Sequence, residues 1–538
     1  MNQSRCEHSR SRWFGDGVII LVLLVGWVVL VGGLTRGRRT ATYDTFRDMA
    51  WAENIRAGRI WSDPTLAELP AWYPPGGPLL VTAASILTGR PIVDVYGYAS
   101  WWLNALLPVM LYLLARSAWD RTTAIVALLT VPLGSVWLLT HAVANVPSVQ
   151  GTALSLLSLL GWHRCVLSAG VLRRGLCWSL ATGLILALAA WFHPLCAIMP
   201  AAAIFLQVAL NTAFPRRMIP GSASRRQVAS CMLLAGLVAG VLSAPLLRQM
   251  LAGLRAPNPA PLLYFANDLD NPAYYAHAQA PLIVLAALAG IHFIVRFEPG
   301  TLWIVMYLLV GLLGQAAGYL RFTHGWPVPA LLPHEFQWHG HLAVGCCAAV
   351  GIASLARALA SRAAGDRRGS RIRTTVLWLT VLVAVTVGPA LRWLPRAGMH
   401  LLDLEPLLTG HSELIEWIRA DTTLDQVFVT DPDLAYMVVA GLTGRKCAAV
   451  PACHSNPRAE ARRRLEDVER MLATSDAAEF ARLAERYQAE CFLILATPPG
   501  AARAVLGRYA DWPFLRPVFV SSDATTVVFR IAHGAAAE

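Results

Sequence analysis

Charge is scarce in this chain, and one kind of positive charge is nearly missing. Only 14% of the 538 residues are Asp, Glu, Lys or Arg, where soluble domains average about 25%. Lys446 is the sole lysine, so the formal net charge of +12 is carried by arginine. A basic excess raises nucleic acid as a partner. Here the arginines gather in the connections between apolar runs, mainly on the side that the positive-inside rule makes cytoplasmic, so topology accounts for them and no nucleic-acid partner is expected. The ten cysteines form no framework. Most lie in or beside apolar runs, where a thiol behaves as a small apolar group. Cys447, Cys453 and Cys491 fall near the C-terminus, and a Cys447–Cys453 bridge is an option if that region lies outside the cell. No repeat at fixed period is evident, and no Gly-rich loop ends in Lys-Ser/Thr, which excludes a P-loop.

What is abundant is apolar sequence: 56% hydrophobic residues and a mean hydropathy of +0.49. The apolar runs approach twenty residues, the span of a hydrocarbon core. The chain therefore reads as a polytopic α-helical membrane protein with about eleven spans, near 14–34, 97–115, 122–140, 147–163, 176–192, 195–213, 228–247, 281–295, 301–320, 339–356 and 375–395. Phe14–Leu34 is too long for a signal-peptide core and lacks a small-residue cleavage site, so it reads as a retained helix. Three parts follow. Residues 1–96 are a first span and a long outer loop, 97–395 a helical membrane domain, and 396–538 a polar tail. The tail alternates strand candidates (Gln426–Thr430, Cys491–Ala496, Val518–Val520, Thr526–Ile531) with amphipathic helices (Arg458–Ala473, Asp476–Ala489), the order of a small α/β domain.

The first outer loop concentrates chemistry at the membrane surface. Asp44–Ala57 places Phe46, Met49, Ala50, Glu53 and Ala57 at helical spacing and stops at Gly58. Pro78–Thr88 is apolar but too short to span, and reads as an interfacial or re-entrant helix. Between them runs Trp72-Tyr73-Pro74-Pro75-Gly76-Gly77. Asp44 lies a few residues beyond a span, at headgroup level, where a carboxylate can take a proton from a hydroxyl while a lipid tail stays in the bilayer. An ordinary helix N-cap explains an aspartate there equally well. Arg47 follows one turn later on the same face and can orient Asp44 or hold a phosphate. Asp48 points to another face and is the second candidate carboxylate.

The order of a span, then Asp44-Thr45-Phe46-Arg47, then a helix ending in Ala57-Gly58, then Trp72-Tyr73-Pro74-Pro75 resembles the GT-C superfamily of integral-membrane glycosyltransferases, nearest to its protein mannosyltransferase and aminoarabinose transferase branch. The resemblance is specific over residues 14–80. It implies a catalytic acid at Asp44 with Arg47 as its neighbour. Thr45 stands where that branch often has Glu, so Asp44 and Asp48 both remain candidates for the base.

Further candidates lie in later outer segments. Arg248–Gln279 holds Arg255, Asp268 and Tyr274, and aromatics beside acids suit a sugar, although an interfacial aromatic belt has the same composition. Arg321–His341 holds Arg321, His334 and Glu335. Arg321 is the leading candidate for a donor phosphate, with Arg255 and Arg47 beside it. Trp72, Tyr73, Asp268, Tyr274, His334 and Glu335 are candidate substrate contacts. The histidines match no strong metal spacing, so no metal ligands are assigned, and a divalent ion is left open. His193, before Pro194, and His141 with Asn145 sit in short outer turns, where structural roles are favoured over chemistry. Leu442-Thr443-Gly444-Arg445 reads as a helix C-cap and turn.

The expected function is transfer of a sugar from a polyprenyl-phosphate donor to a hydroxyl of a glycan, lipid or protein acceptor, with inversion, at the outer face of a bacterial plasma membrane and with the tail extracytoplasmic. The rival is a lipid or solute transporter or flippase with a soluble tail. Transporters place ionisable or broken-helix sites near the midplane, whereas here polar residues gather at one set of span ends. A sensor or assembly subunit is a third reading.

Overall fold

The computed structural model describes residues 3–133, 136–213, 224–254, 283–284, 286–287, 289, 302–324, 333–363, 401–496 and 501–533. The chain divides into two compact bodies. One contains Met1–Gly37, Ala99–Pro245 and Ala266–Leu401; the other contains Arg38–Tyr98, Leu246–Phe265 and Leu402–Glu538. The first outer loop thus belongs to the same body as the tail.

The first body is helical. Among the described residues five helices are long and apolar enough to cross a membrane: Phe14–Thr35, Leu172–Phe192, Pro194–Ala213, Arg225–Leu251 and Phe336–Arg357. The spans read at 281–295 and 375–395 lie mostly or wholly outside the described residues. Leu172–Phe192 packs along Pro147–Ser168, and Leu302–His324 along Pro333–Ala363. Lipid gives apolar helices no hydrophobic reason to associate, so close approach over small residues must supply the contact. A Cβ on Gly311 would meet the Gly340 backbone at 3.1 Å, and one on Gly345 would meet Val131 Cα at 3.0 Å. Near the N-terminal end of the first span, Asp16 accepts from Tyr112 at 2.6 Å and from Arg121 at 2.8 Å.

The second body joins the outer loop to the tail. Two short strands, β1 (Thr40–Ala41) and β2 (Leu402–Asp403), pair antiparallel. Arg38 bonds Asp403 beside this ribbon, and Arg39 bridges Glu405 and Asp94. Five further strands form a mixed sheet: β3 (Val427–Val429), β4 (Lys446–Cys447), β5 (Ala489–Leu495), β6 (Leu515–Val520) and β7 (Thr526–Ile531), in the order β4-β3-β5-β7-β6. β3 runs parallel to β4 and β5, while β7 is antiparallel to β5 and β6. Buried Val, Phe and Leu fill β3, β5 and β7 because these strands are interior to the sheet. The amphipathic helices Ala461–Ala473 and Ala477–Arg486 add Val468, Met471, Phe480 and Leu483 to one core with Phe492, Trp512 and Phe529. The Asp476 carboxylate caps the second of these helices by accepting from the Ala478 and Glu479 N–H groups. Cys447, Cys453 and Cys491 are free thiols, so the Cys447–Cys453 bridge is absent. Cys447 instead donates to the Ala435 carbonyl from inside the sheet layer.

Candidate active site

All of the site's described residues belong to the second body. Helix α2 (Tyr43–Arg56) is the element that builds it. The Thr42 amide donates to the Thr45 hydroxyl at 2.9 Å, which closes the helix start. Asp44 therefore falls in the first turn, where the helix dipole favours an anion. The helix is held along its length. Asn54 donates to the Gly444 carbonyl at 3.1 Å and accepts from the Lys446 ammonium at 2.9 Å. Gly444 adopts φ +77°, and a Cβ there would meet Glu53 Cβ at 2.7 Å. The Thr443-Gly444-Arg445 turn is thus a structural seat for α2, as a helix-terminating turn should be.

Asp44 is 48% exposed, and its Oδ1 lies 3.3 Å from Nδ1 of His454, which is only 7% exposed. His454 ends a single tight turn, Ala452–His454, that follows Pro451. Its ring stacks on Tyr436 at 4.7 Å and lies against Tyr43 at 4.9 Å. The Tyr43 hydroxyl donates to Asp433. Burial favours the neutral imidazole, but the Asp44 carboxylate and Cys453 outweigh it and raise His454 to about 9. The imidazolium state is the one that faces Asp44 at neutral pH.

Asp48 lies beneath, fully buried. Arg47 Nε and Nη2 both donate to its Oδ1, at 3.1 and 3.0 Å. Neighbours on a helix normally diverge, and Asp48 was expected on a face away from Arg47. The structure corrects this: the long arginine side chain turns back onto Asp48. Its guanidinium also lies 4.1 Å from the centre of the Tyr73 ring, a cation–π contact. Tyr73 is placed by the buried Pro74-Pro75 turn that leads into α3 (Gly76–Thr88), and Trp72 packs edge-on against it at 5.4 Å. Among the described residues Asp48 Oδ2 has no hydrogen-bond partner. Burial pushes the Asp48 carboxyl up to about 6, although Arg47 pulls the other way. Burial also works against the Arg47 charge, but Asp48 and Asp44 prevail and hold it above its ordinary value.

The structure therefore groups Asp44, Arg47, Asp48, Trp72 and Tyr73, and adds His454, Tyr43 and Tyr436 to them. Arg255, Asp268 and Tyr274 lie outside the described residues, as do the side chains of Arg321, His334 and Glu335. His141 and His193 are buried in the first body, where the His141 ring stacks on Trp338 at 3.5 Å. Among the described residues no three of His, Cys, Asp and Glu are arranged to share a metal ion.

No family model matches the chain, and no curated protein matches it in sequence. Solved structures do. Oligosaccharyltransferase AglB from Archaeoglobus fulgidus, in complex with an inhibitory peptide and a dolichol-phosphate, aligns with TM-score 0.64 at 11% identity, covering 96% of this chain and 74% of its own. ArnT from Cupriavidus metallidurans bound to undecaprenyl phosphate aligns with TM-score 0.56 at 14% identity, covering 97% and 98%. Both have the architecture of the GT-C glycosyltransferases, as does the mycobacterial arabinofuranosyltransferase AftD, with TM-score 0.55 at 13% identity over 95% of this chain and 40% of its own. The chain has the GT-C fold. At these identities the likeness fixes the GT-C architecture, and the chemistry must be argued from the residues.

Proposed function

We propose that this protein is an inverting GT-C glycosyltransferase that moves a sugar from a polyprenyl phosphate to an acceptor hydroxyl on the extracytoplasmic side of the membrane. One observation carries the reading. Asp44, half-exposed at the start of α2, faces the buried His454 at 3.3 Å and stands one turn from a second, buried carboxylate. A base must reach its proton, and Asp44 is half-exposed with a histidine against its carboxylate. The structures of AglB with dolichol-phosphate and of ArnT with undecaprenyl phosphate support a lipid-phosphate donor.

In this reading Asp44 takes the proton of the acceptor hydroxyl. The oxygen forms its bond to the anomeric carbon from the face opposite the leaving group. The bond from that carbon to the phosphate oxygen breaks, its electron pair leaves on the polyprenyl phosphate, and the configuration inverts. The leaving group is already an anion of low basicity, so no general acid is needed; positive charge near the phosphate is. Arg47 is spent on Asp48 and Tyr73, so Arg255 and Arg321 are assigned the phosphate and Arg47 the fixing of Asp48. The imidazolium of His454 holds the Asp44 carboxylate in place. Trp72, Tyr73, Asp268, Tyr274, His334 and Glu335 are assigned to substrate. Residues 1–96 supply the first crossing and the catalytic loop, 97–395 the remainder of about eleven spans, and 396–538 an extracytoplasmic α/β domain. An AglB structure with Zn and sulfate makes a divalent ion a reasonable addition to the assay.

The test is incubation of purified protein with prenyl-linked sugars and mass spectrometry of the released prenyl phosphate. Transfer by the unmodified protein and its loss in Asp44→Asn, with unchanged melting, support the proposal. Undiminished transfer by Asp44→Asn would place the base elsewhere, and flipping of labelled lipid without product would support the transporter.

A further inference from the structure

The C-terminal end of α2 carries a second feature that transfer does not use. A cavity of about 360 Å³ opens there, lined by Glu53, Arg56, Ser85, Ile86, Arg90 and Arg419 among others. Its size is within the range of small-molecule sites. Glu53 follows Asp44 by nine residues, which on an α-helix is ~13 Å along the axis and half a turn around it. The cavity is therefore distinct from the carboxylates at the head of the helix.

Its charge is one-sided. Three arginines face one acid, and that acid is already spent: Arg56 Nη2 lies 2.7 Å from Glu53 Oε2. Arg419 uses Nη2 on the Leu442 carbonyl at 2.8 Å and keeps its other donors. The Arg90 guanidinium is exposed and takes no partner among the described residues. The backbone places it deliberately. Gly89, at φ +67°, ends α3 in the left-handed conformation, and the Ser85 hydroxyl donates to the Arg90 carbonyl at 2.6 Å. This turn carries Arg90 into the lining of the cavity that Arg56 also lines. The rim beside these cations is apolar. Ile86 and Leu87 are 65% and 85% exposed, on a 13-residue helix too short to span a bilayer. Guanidinium groups lining one cavity match a phosphate, and bare aliphatic side chains beside them match acyl chains.

We infer that this cavity binds a phosphate group at the membrane surface, independently of the transfer site, with an anionic phospholipid headgroup as the form that suits its rim. The experiment is native mass spectrometry of the full-length protein in detergent, titrated with short-chain phosphatidylglycerol, with phosphatidylcholine, and with inorganic phosphate. Unmodified protein should bind phosphatidylglycerol in preference to phosphatidylcholine. Arg90→Ala should weaken that binding about tenfold, and Arg90→Glu should abolish the preference. Arg90 is exposed and unpaired, so neither change threatens folding. Asp44→Asn should bind as the unmodified protein does, which separates this site from the fate of the transfer reading. Competition by equimolar inorganic phosphate assigns the cavity to the free ion; competition by lipid alone assigns it to the headgroup. Equal binding by the unmodified protein, Arg90→Ala and Arg90→Glu, or equal binding of the two lipids, overturns the inference.

Discussion

Two regions of the second body each bury one aspartate beside arginine and tyrosine, and they do so to opposite effect. In the helical layer of the tail, Asp467 is 1% exposed and saturated: Arg470 bonds Oδ1, while Arg486 at 2.7 Å and the Tyr487 hydroxyl at 2.6 Å bond Oδ2. Burial alone would raise this carboxyl, but the bonds from Tyr487, Arg486 and Arg470 bring it below its ordinary value. At the head of α2, Asp48 is as deeply buried, yet among the described residues one oxygen takes both Arg47 bonds and the other takes none. It is raised to about 6. An acid that only holds a fold is given every partner geometry allows. An acid left short of partners is kept at a cost, and such groups cluster at functional sites.

The largest expected effect concerns the exposed acid beside this pair. Asp44→Asn should lower transfer by about 10²–10⁴-fold, the usual range for a general base, read as released prenyl phosphate. Next, the Arg47→Met/Asp48→Leu double change should lower transfer at least about tenfold while leaving the melting temperature unchanged or higher, because replacing a buried ion pair by packed apolar groups is often neutral or stabilising by ~1–4 kcal/mol. A fall in melting temperature would show the pair to be structural, like Asp467. Conversely, Asp467→Asn should cost about 1–3 kcal/mol in thermal unfolding, the price of unsatisfied buried donors, with transfer per folded molecule unchanged.

The smallest effect is in pH. The folded protein holds the His454 proton more tightly than a free imidazole of 6.5, so the Asp44–His454 pair contributes fully below pH 6.5 and is lost as pH rises through about 9. Asp48 acts in the same sense lower down, its contribution present below 3.8 and lost as pH rises through about 6. Melting temperature should therefore fall between pH 6.5 and 9 in the unmodified protein, and this fall should be absent in His454→Gln. Identical alkaline slopes in the two proteins would mean that His454 carries no proton against Asp44.

Local pattern made much of this legible. Periodicity placed α2 within a residue at each end, because a helix whose caps and apolar face agree needs no distant information. It placed β7 at its observed bounds and overran the Ala461–Ala473 and Ala477–Arg486 helices by three residues at one end. The solved GT-C structures share the fold that the resemblance of Asp44-Thr45-Phe46-Arg47 and the Tyr73-Pro74-Pro75 turn implied. Tertiary partners were not legible. Nothing near Asp44 points to His454, 410 positions away; the available hint was a histidine beside a cysteine in a short stretch between Pro451 and Pro457. The Arg47–Asp48 pairing was misread because helical spacing describes where Cβ atoms point, whereas an arginine carries its charge several bonds further. The Cys447–Cys453 bridge was entertained from proximity in sequence, and the sheet places Cys447 inside its layer instead.

The β1–β2 ribbon sets a timetable. It ties residues 40–41 to 402–403, and His454 arrives later still. During synthesis Arg38–Tyr98 must wait without its C-terminal partners while the intervening crossings are made. The head of α2 gains its aromatic wall only once Tyr436 and His454 have been made. A nascent chain therefore lacks the Asp44–His454 contact through all of the intervening crossings, so copies that stop before residue 454 should leave the Asp44 carboxylate without its histidine.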